Sequence, residues 1–410
     1  MKILFYGEAP IETGAGQISK QLLPLLASMG ELEVVPINLN KDMVSQIDRQ
    51  KYPYPFYVSE PSGNIEDQFN LKNAQKHILE DAYDLLFLTG DINRIGDCME
   101  SVEQSRWQGK EFTTVCLAAI DSAVINPASV KCLWQVEYPV VYSQYAYDQA
   151  VKFIPALKKK LKVIQLGGEP DVFYPLSREE KRQVRDFTFR ITDDETFFVG
   201  CFNRNQLRKD LARSMYAFHL FHKEYPNSIM YVHARQDDLG GSLVQQAILL
   251  GIPLNEIIFT PPGYNEITGM PRETLNKFYN AVDCCISTST GEGWGLTTTE
   301  AMAAGTPFIG PENTSFIEIL GKDEERGYLV GSGGADLWMM PYGIMNQPKD
   351  LVSVTDMVAA LEQVYNNRNE AMQKAGAARQ WAEEHTWLQM NEQWSALLAP
   401  IMNSLTPITA

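Results

Sequence analysis

The chain has 410 residues, with 35 Lys or Arg against 51 Asp or Glu, a formal net charge of −16. So acidic a chain is a poor general ligand for nucleic acid or an anionic membrane. With 45% hydrophobic and 21% charged residues, 28 Gly and 22 Pro, the composition excludes disordered, collagen-like and coiled-coil classes and leaves room for two similar domains.

The chain opens on an apolar strand pattern, Lys2 to Tyr6, with no charged leader before a long apolar stretch, so no signal peptide is expected. Apolar runs such as Leu85 to Leu88 stop far short of the ~20 residues of a membrane span. The expectation is a cytoplasmic protein with at most peripheral membrane contact. Short strand patterns then alternate with helical ones, the signature of parallel sheets with crossover helices. Strands are predicted at Lys2–Tyr6, Glu33–Ile37, Asp84–Thr89, Phe112–Leu117, Val140–Ser143 and Lys162–Gln165. Gly167-Gly168-Glu169-Pro170-Asp171 interrupts the pattern and marks an interdomain hinge. The second half repeats it at Phe197–Phe202, Ile229–His233, Ile257–Thr260, Cys284–Ser287, Pro307–Gly310 and Tyr328–Val330. Leu211, Met215 and Phe218 share one helical face, as do Trp387 and Trp394, and each face should pack on a core. Cys98, Cys116, Cys132, Cys201, Cys284 and Cys285 show no C-x-x-C spacing and read as buried, reduced thiols.

Chemistry concentrates at strand ends. After the first strand, Glu12-Thr13-Gly14-Ala15-Gly16-Gln17 opens a helix, so amides at Gly14, Ala15 and Gly16 can approach a phosphate or sugar; a tight packing turn is the alternative. Asp121, and less clearly Asp91, offers a carboxylate to orient a hydroxyl, or else caps a turn. Arg204, Arg208 and Lys209 follow the first strand of the second half and precede a helix, a cluster of three cations at a strand's carboxyl edge, where ligands bind such sheets; Arg208 could substitute for either of the others. The alternative there is a solvated basic loop. Lys158-Lys159-Lys160 reads as a solvated helix end. His219 and His222 lie three apart on a helix with no acidic third ligand expected nearby, which favours structural histidines over a metal site. Gly331 to Asp350, with Trp338, Met339, Met340 and Tyr342, is an apolar insertion that either lines a cleft or covers a core.

The densest segment runs from Ser287 to Pro307 through Gly291-Glu292-Gly293-Trp294-Gly295-Leu296-Thr297-Thr298-Thr299-Glu300. Glycines expose backbone amides, the following helix aims its positive end at them, and two carboxylates flank the anion site. Thr297 to Glu300 also matches a capping box, in which Glu300 would only satisfy a backbone donor.

Glu292-x7-Glu300 in this glycine-rich context, ending Glu-Ala-Met-Ala-Ala-Gly-Thr-Pro, resembles the donor-site signature of retaining GT-B glycosyltransferases, specifically glycosyltransferase family 4. Leu166 to Pro175 resembles the family's interdomain segment, with Leu166 where a histidine is usual, so no histidine role carries over. The resemblance implies an α/β GT-B architecture: two Rossmann-like, doubly wound parallel-sheet domains facing a cleft. Residues 1–168 would bind the acceptor, 169–385 the nucleotide-sugar donor, and 386–410 would cross back to the first domain. It implies a retaining transfer of a hexosyl or pentosyl group from a nucleoside-diphosphate sugar to an acceptor hydroxyl, with no metal and no cofactor beyond that donor substrate. The absence of any Asp-x-Asp agrees with this. Catalytic roles fall on Asp121, Glu292, Arg204 and Lys209. Donor contacts fall on Gly14, Ala15, Gly16, Arg204, Lys209, Glu292, Gly293, Trp294, Gly295, Leu296, Thr297 and Glu300, with Glu300 on the ribose and Glu292 on the sugar. The acceptor, a glycan, a lipid-linked or another hydroxyl, is left open. So are three rival readings: a nucleotide-sugar epimerase, a non-catalytic glycosyltransferase-like partner or binding subunit, and a transferase acting on modified DNA.

Overall fold

All twelve predicted strand segments form strands, and they assemble into two six-stranded, wholly parallel sheets. The computed structural model describes residues 1–37, 45, 47–58, 69–123, 127–261, 263–264, 269–332, 337–342 and 345–405. The first sheet contains β1 (Lys2–Glu8), β2 (Glu31–Ile37), β3 (Leu85–Asp91), β4 (Thr113–Ala119), β5 (Tyr138–Val141) and β6 (Lys162–Val163), in the order β2-β1-β3-β4-β5-β6. Its strands are apolar on both faces, as a sheet covered by helices on both sides requires. Ile3, Phe5, Phe87 and Leu117 point to one core, while Leu4, Tyr6, Leu88 and Cys116 point to the other.

The second sheet contains β7 (Phe197–Phe202) and β8 (Ser228–His233); a small antiparallel pair, β9 (Asp237–Asp238) and β10 (Gly241–Ser242), follows outside it. Then come β11 (Ile257–Phe259), β12 (Cys284–Ile286), β13 (Phe308–Pro311) and β14 (Tyr328–Val330), giving the order β11-β8-β7-β12-β13-β14. Leu211, Met215 and Phe218 are buried against it, as their spacing predicts, and all six cysteines are buried and unpaired. The insertion after β14 is an antiparallel hairpin, β15 (Leu337–Tyr342) with β16 (Met345–Asp350). The side chains of Trp338, Met339, Met340 and Tyr342, named above, lie outside the described residues. Among the described residues no helix is long and apolar enough to cross a membrane.

The chain passes between the two sheets twice, and the two passes lie side by side. Gly168 donates its N–H to the His385 carbonyl at 2.9 Å and accepts from the Trp387 N–H at 3.3 Å. A Cβ on Gly167 would lie 2.1 Å from the Trp387 nitrogen, so this pairing needs glycine. Beyond it the helix Trp387–Leu405 turns its apolar stripe to the first domain. Trp394 is fully buried there, its ring centroid 5.1 Å from that of Phe87 on β3.

Candidate active site

A doubly wound sheet opens a crevice where its order of growth reverses, because the loops leaving the strands' carboxyl ends diverge there. The reversals fall between β1 and β3 in the first sheet and between β7 and β12 in the second. The loops that leave β1, β7 and β12 beside these reversals carry the glycine-rich and basic motifs, and Asp121 follows the neighbouring strand β4.

Glu292 stands in the turn after β12. Lys209 donates to its Oε1, and Arg208 Nη1 donates to its Oε2 at 3.0 Å and to the Gly291 carbonyl at 3.0 Å. Behind the turn, the Glu292 N–H donates to Thr314 Oγ1 at 3.0 Å and Ser315 Oγ donates to the Glu292 carbonyl at 3.1 Å. Burial alone would raise the Glu292 carboxyl, but the Lys209 ammonium and Arg208 guanidinium hold it down at about 2. Burial brings Lys209 down to about 8 against the pull of Glu292. Both shifts run downward, but two cations favour the charged carboxylate whereas lost hydration disfavours the charged ammonium. Both leave the pair charged at neutral pH.

The first domain meets this turn directly. A Cβ on Gly291, at φ +158°, would lie 2.0 Å from the Asp121 carbonyl oxygen, and one on Gly293 2.5 Å from the Tyr142 hydroxyl. Only glycine permits that approach. The Asp121 carboxylate lies 3.9 Å from Arg208 Nε, and Lys349 donates to its Oδ1 at 2.9 Å and to its main-chain carbonyl at 3.0 Å. Lys349 comes from β16, and 1% of its side chain is exposed. Asp91 is exposed at the end of β3. Asp121, Glu292 and Lys209 therefore converge, and Arg208 joins them. Lys349 carries no sequence signal, since a lone lysine in an insertion looks like any solvated cation.

Glu300 lies on the helix Leu296–Ala303, which Gly295 opens at φ +107°. The capping-box alternative is incorrect, because the carboxylate turns away from the helix start. Its Oε2 accepts from the Tyr279 hydroxyl at 2.9 Å, and its Oε1 is 3.4 Å from Arg272 Nη2. Arg272 also donates to Glu169 of the interdomain segment at 2.8 Å. Burial raises the Glu300 carboxyl despite the guanidinium beside it. Arg272 and Tyr279 belong to no motif and only the fold brings them here. Leu296 and Thr297 open the same helix, where the first amides have no intrahelical acceptor.

The structure refines several other positions. The Gly16 N–H already donates to Thr13 Oγ1 at 3.0 Å, and its Cβ would fall 2.3 Å from the Ile11 carbonyl oxygen. Gly16 is therefore a packing glycine, while Gly14 and Ala15 are exposed and a Cβ on Gly14 would lie 3.8 Å from Leu296 Cδ1. The Trp294 indole is buried against Trp381, with centroids 6.2 Å apart, so that residue offers a ligand only its backbone. Arg204 donates Nε to Asp238 at 3.0 Å, and the cation that accompanies Lys209 on Glu292 is Arg208. His219 does have an acidic neighbour: Glu256, 2.8 Å away and also 3.9 Å from His222. Among the described residues one cluster has metal-like spacing, Glu33, His77 and Asp81. Its members already bond one another, Tyr83 and Lys2.

Comparison with known proteins agrees with this fold. The family model described as glycosyl transferases group 1 matches residues 265–338, which include Glu292 and Glu300. No curated protein sequence matches the chain. Among solved structures, a sucrose-phosphate synthase from Thermosynechococcus elongatus superposes with a TM-score of 0.71 at 14% identity, covering 98% of this chain and 100% of that one. HepE from Anabaena in complex with UDP and glucose gives 0.67 at 16% identity over 97% and 99% of the two chains. A glycosyltransferase from Rickettsia africae gives 0.68 at 14% identity over 98% of each. The protein thus has the GT-B glycosyltransferase fold, and its second domain carries a glycosyl transferases group 1 segment.

Proposed function

We propose that the protein is a retaining glycosyltransferase that moves a sugar from a nucleoside-diphosphate sugar to an acceptor hydroxyl without a metal ion. The observation that carries this reading is the meeting of Lys209, Arg208 and Glu292 with Asp121 at the mouth of a glycine-rich, helix-opening loop. In the reaction the bond between the anomeric carbon and the diphosphate oxygen breaks and a bond to the acceptor oxygen forms, while the acceptor's proton passes to the departing phosphate. What limits the rate is stabilisation of the diphosphate, and fixed cations supply it. Lys209 holds the diphosphate together with Arg204, whose side chain is 35% exposed. Arg208 keeps the Glu292 carboxylate aimed at the donor sugar. Glu300 accepts from the ribose hydroxyls, and the amides of Leu296, Thr297, Gly14 and Ala15 face the phosphates. Asp121 orients the reacting hydroxyl. Retention follows from the family resemblance. The complexes of HepE with UDP and with UDP-glucose favour a UDP-sugar as the first donor to try.

The test is thermal unfolding of the purified protein with UDP-, GDP-, ADP- and dTDP-sugars in the presence of a chelator. A donor at a hundred times its Kd stabilises by about 2.7 kcal/mol, a clear shift in Tm. A shift with one base, lost in Glu300→Gln, supports the reading. No shift with any donor would support a non-catalytic binding subunit instead, and a shift abolished by the chelator would refute metal independence.

A further inference from the structure

A cavity of about 680 Å³ lies at the opposite edge of the second sheet, beneath the amino ends of β12 and β13, where Val282, Asp283, Thr306 and Pro307 line it. It is a full strand length from the cleft, whose groups sit at the carboxyl ends of the same strands. Its wall is the short helix Arg178–Val184 and the turn that continues it. Arg178, Lys181, Arg182 and Arg185 recur at the spacing that places residues on one helical face, the stripe that normally carries apolar residues. Arg368, which opens the helix Arg368–Glu383, faces them.

Five cations thus line one cavity of a chain whose net charge is −16. The carboxylates in the lining are Asp194 and Asp283. Arg178 pairs with Asp194 at 3.1 Å, and Arg185 and Arg368 share Asp283 at 2.6 and 3.3 Å. Lys181 and Arg182 have no carboxylate within ion-pair distance among the described residues. Lys181 is half-buried, and burial lowers its pKa; Asp283 opposes that shift and Arg185 adds to it. Like charges gathered in a concave, part-buried site repel one another unless an anion occupies it. The volume lies within the range of small-molecule sites.

We propose that this cavity binds a small phosphorylated ligand of at least two negative charges, held by Lys181 and Arg182 with Arg178, Arg185 and Arg368 around it. The site is separate from the donor cleft and does not depend on the function proposed above.

Hydrogen exchange of the full chain, read by mass spectrometry, tests this with pyrophosphate and with fructose 1,6-bisphosphate as probes, each against NaCl of equal ionic strength. The expected result is slower exchange over residues 178–189, 280–283 and 367–372, with the apparent Kd raised about tenfold or more in Lys181→Ala/Arg182→Ala. Neither residue is in an ion pair among the described residues, and the substitutions leave the Asp283 pairs intact, so the variant keeps its fold. Stronger protection by pyrophosphate would name an inorganic diphosphate as the source, and stronger protection by the bisphosphate a sugar phosphate. Protection confined to residues 204–210 and 291–297 would mean that the probes enter only the donor cleft. That result, equal protection by NaCl, or protection retained in the double variant would each overturn the proposal.

Discussion

Lys349 reaches Asp121 across the two domains, with 2.9 Å between ammonium and carboxylate, and the same ammonium bonds the Asp121 carbonyl at 3.0 Å. Because 1% of the lysine side chain is exposed, removing its partner strands a charge in the protein. Asp121→Ala should therefore cost about 3–5 kcal/mol of stability, and Asp121→Ala/Lys349→Met should recover most of it. Lys349→Met alone should lower turnover about tenfold with donor KM nearly unchanged, as expected of a positioning residue. Denaturant titration and steady-state kinetics check both. A double variant no more stable than Asp121→Ala would show that the pair is not what couples these positions.

Glu300→Gln separates a ligand role from a structural one. The carboxylate bonds Tyr279 and Arg272 and does not cap its own helix. The amide keeps the hydrogen-bond shape but loses the charge, so nucleotide-sugar affinity should fall about tenfold while Tm without ligand moves little. Calorimetric titration reads the first and thermal unfolding the second. Unchanged affinity would remove Glu300 from the ribose.

The pH dependence follows from the pair at the centre of the site. Glu292 is held near 2, below the 4.5 of a free carboxyl, so its contribution to stability is present above about 4.5 and is lost as pH falls toward 2. That loss amounts to roughly 3 kcal/mol and should be absent in Glu292→Gln. Lys209, lowered to about 8, also makes stability rise with pH, but in another window: burying its charge costs stability below pH 8, and that cost fades as pH rises from 8 toward 10.5. Turnover, which needs the ammonium, should instead fall above about pH 8, and Lys209→Arg should move that alkaline limb upward. Profiles of kcat/KM and of unfolding free energy against pH check these opposite trends.

Gly291 permits the two domains to touch, since its missing Cβ would stand 2.0 Å from a backbone oxygen that cannot swing away. Gly291→Ala should leave each domain folded but hold the cleft open. Small-angle scattering should show a larger radius of gyration, and turnover should fall on the order of 100-fold from the displaced groups. An unchanged radius would mean that the Asp121 loop yields instead.

The strands were legible because a parallel strand covered on both faces must be apolar at every position; Phe197 to Phe202 matches its predicted span to the residue. Glu292, Lys209 and Asp121 were legible because ligand groups collect just beyond such strands. Local pattern misled at Glu300, where a capping box is spelled correctly but Arg272 and Tyr279 offer the carboxylate stronger partners from another helix. Arg272, Tyr279 and Lys349 were hidden because each is a common residue whose role exists only through a contact tens or hundreds of residues away in sequence. The hairpin Leu337–Asp350 escaped for a related reason, since a two-stranded ribbon outside the main sheet shows neither a sheet's continuous apolar run nor a clear alternation.

The return of the chain beside Gly168 has a consequence for how the molecule is made. Trp394 fills the first domain against Phe87, yet it is synthesised only after both sheets have been translated. The first domain to leave the ribosome is thus the last to be completed. Until then it presents an apolar face at Phe87 and along the helix Gly14–Met29, where the last helix will dock. The core on the other face of the second sheet, from Phe197 to Ala371, contains no residue of that helix and does not wait for it.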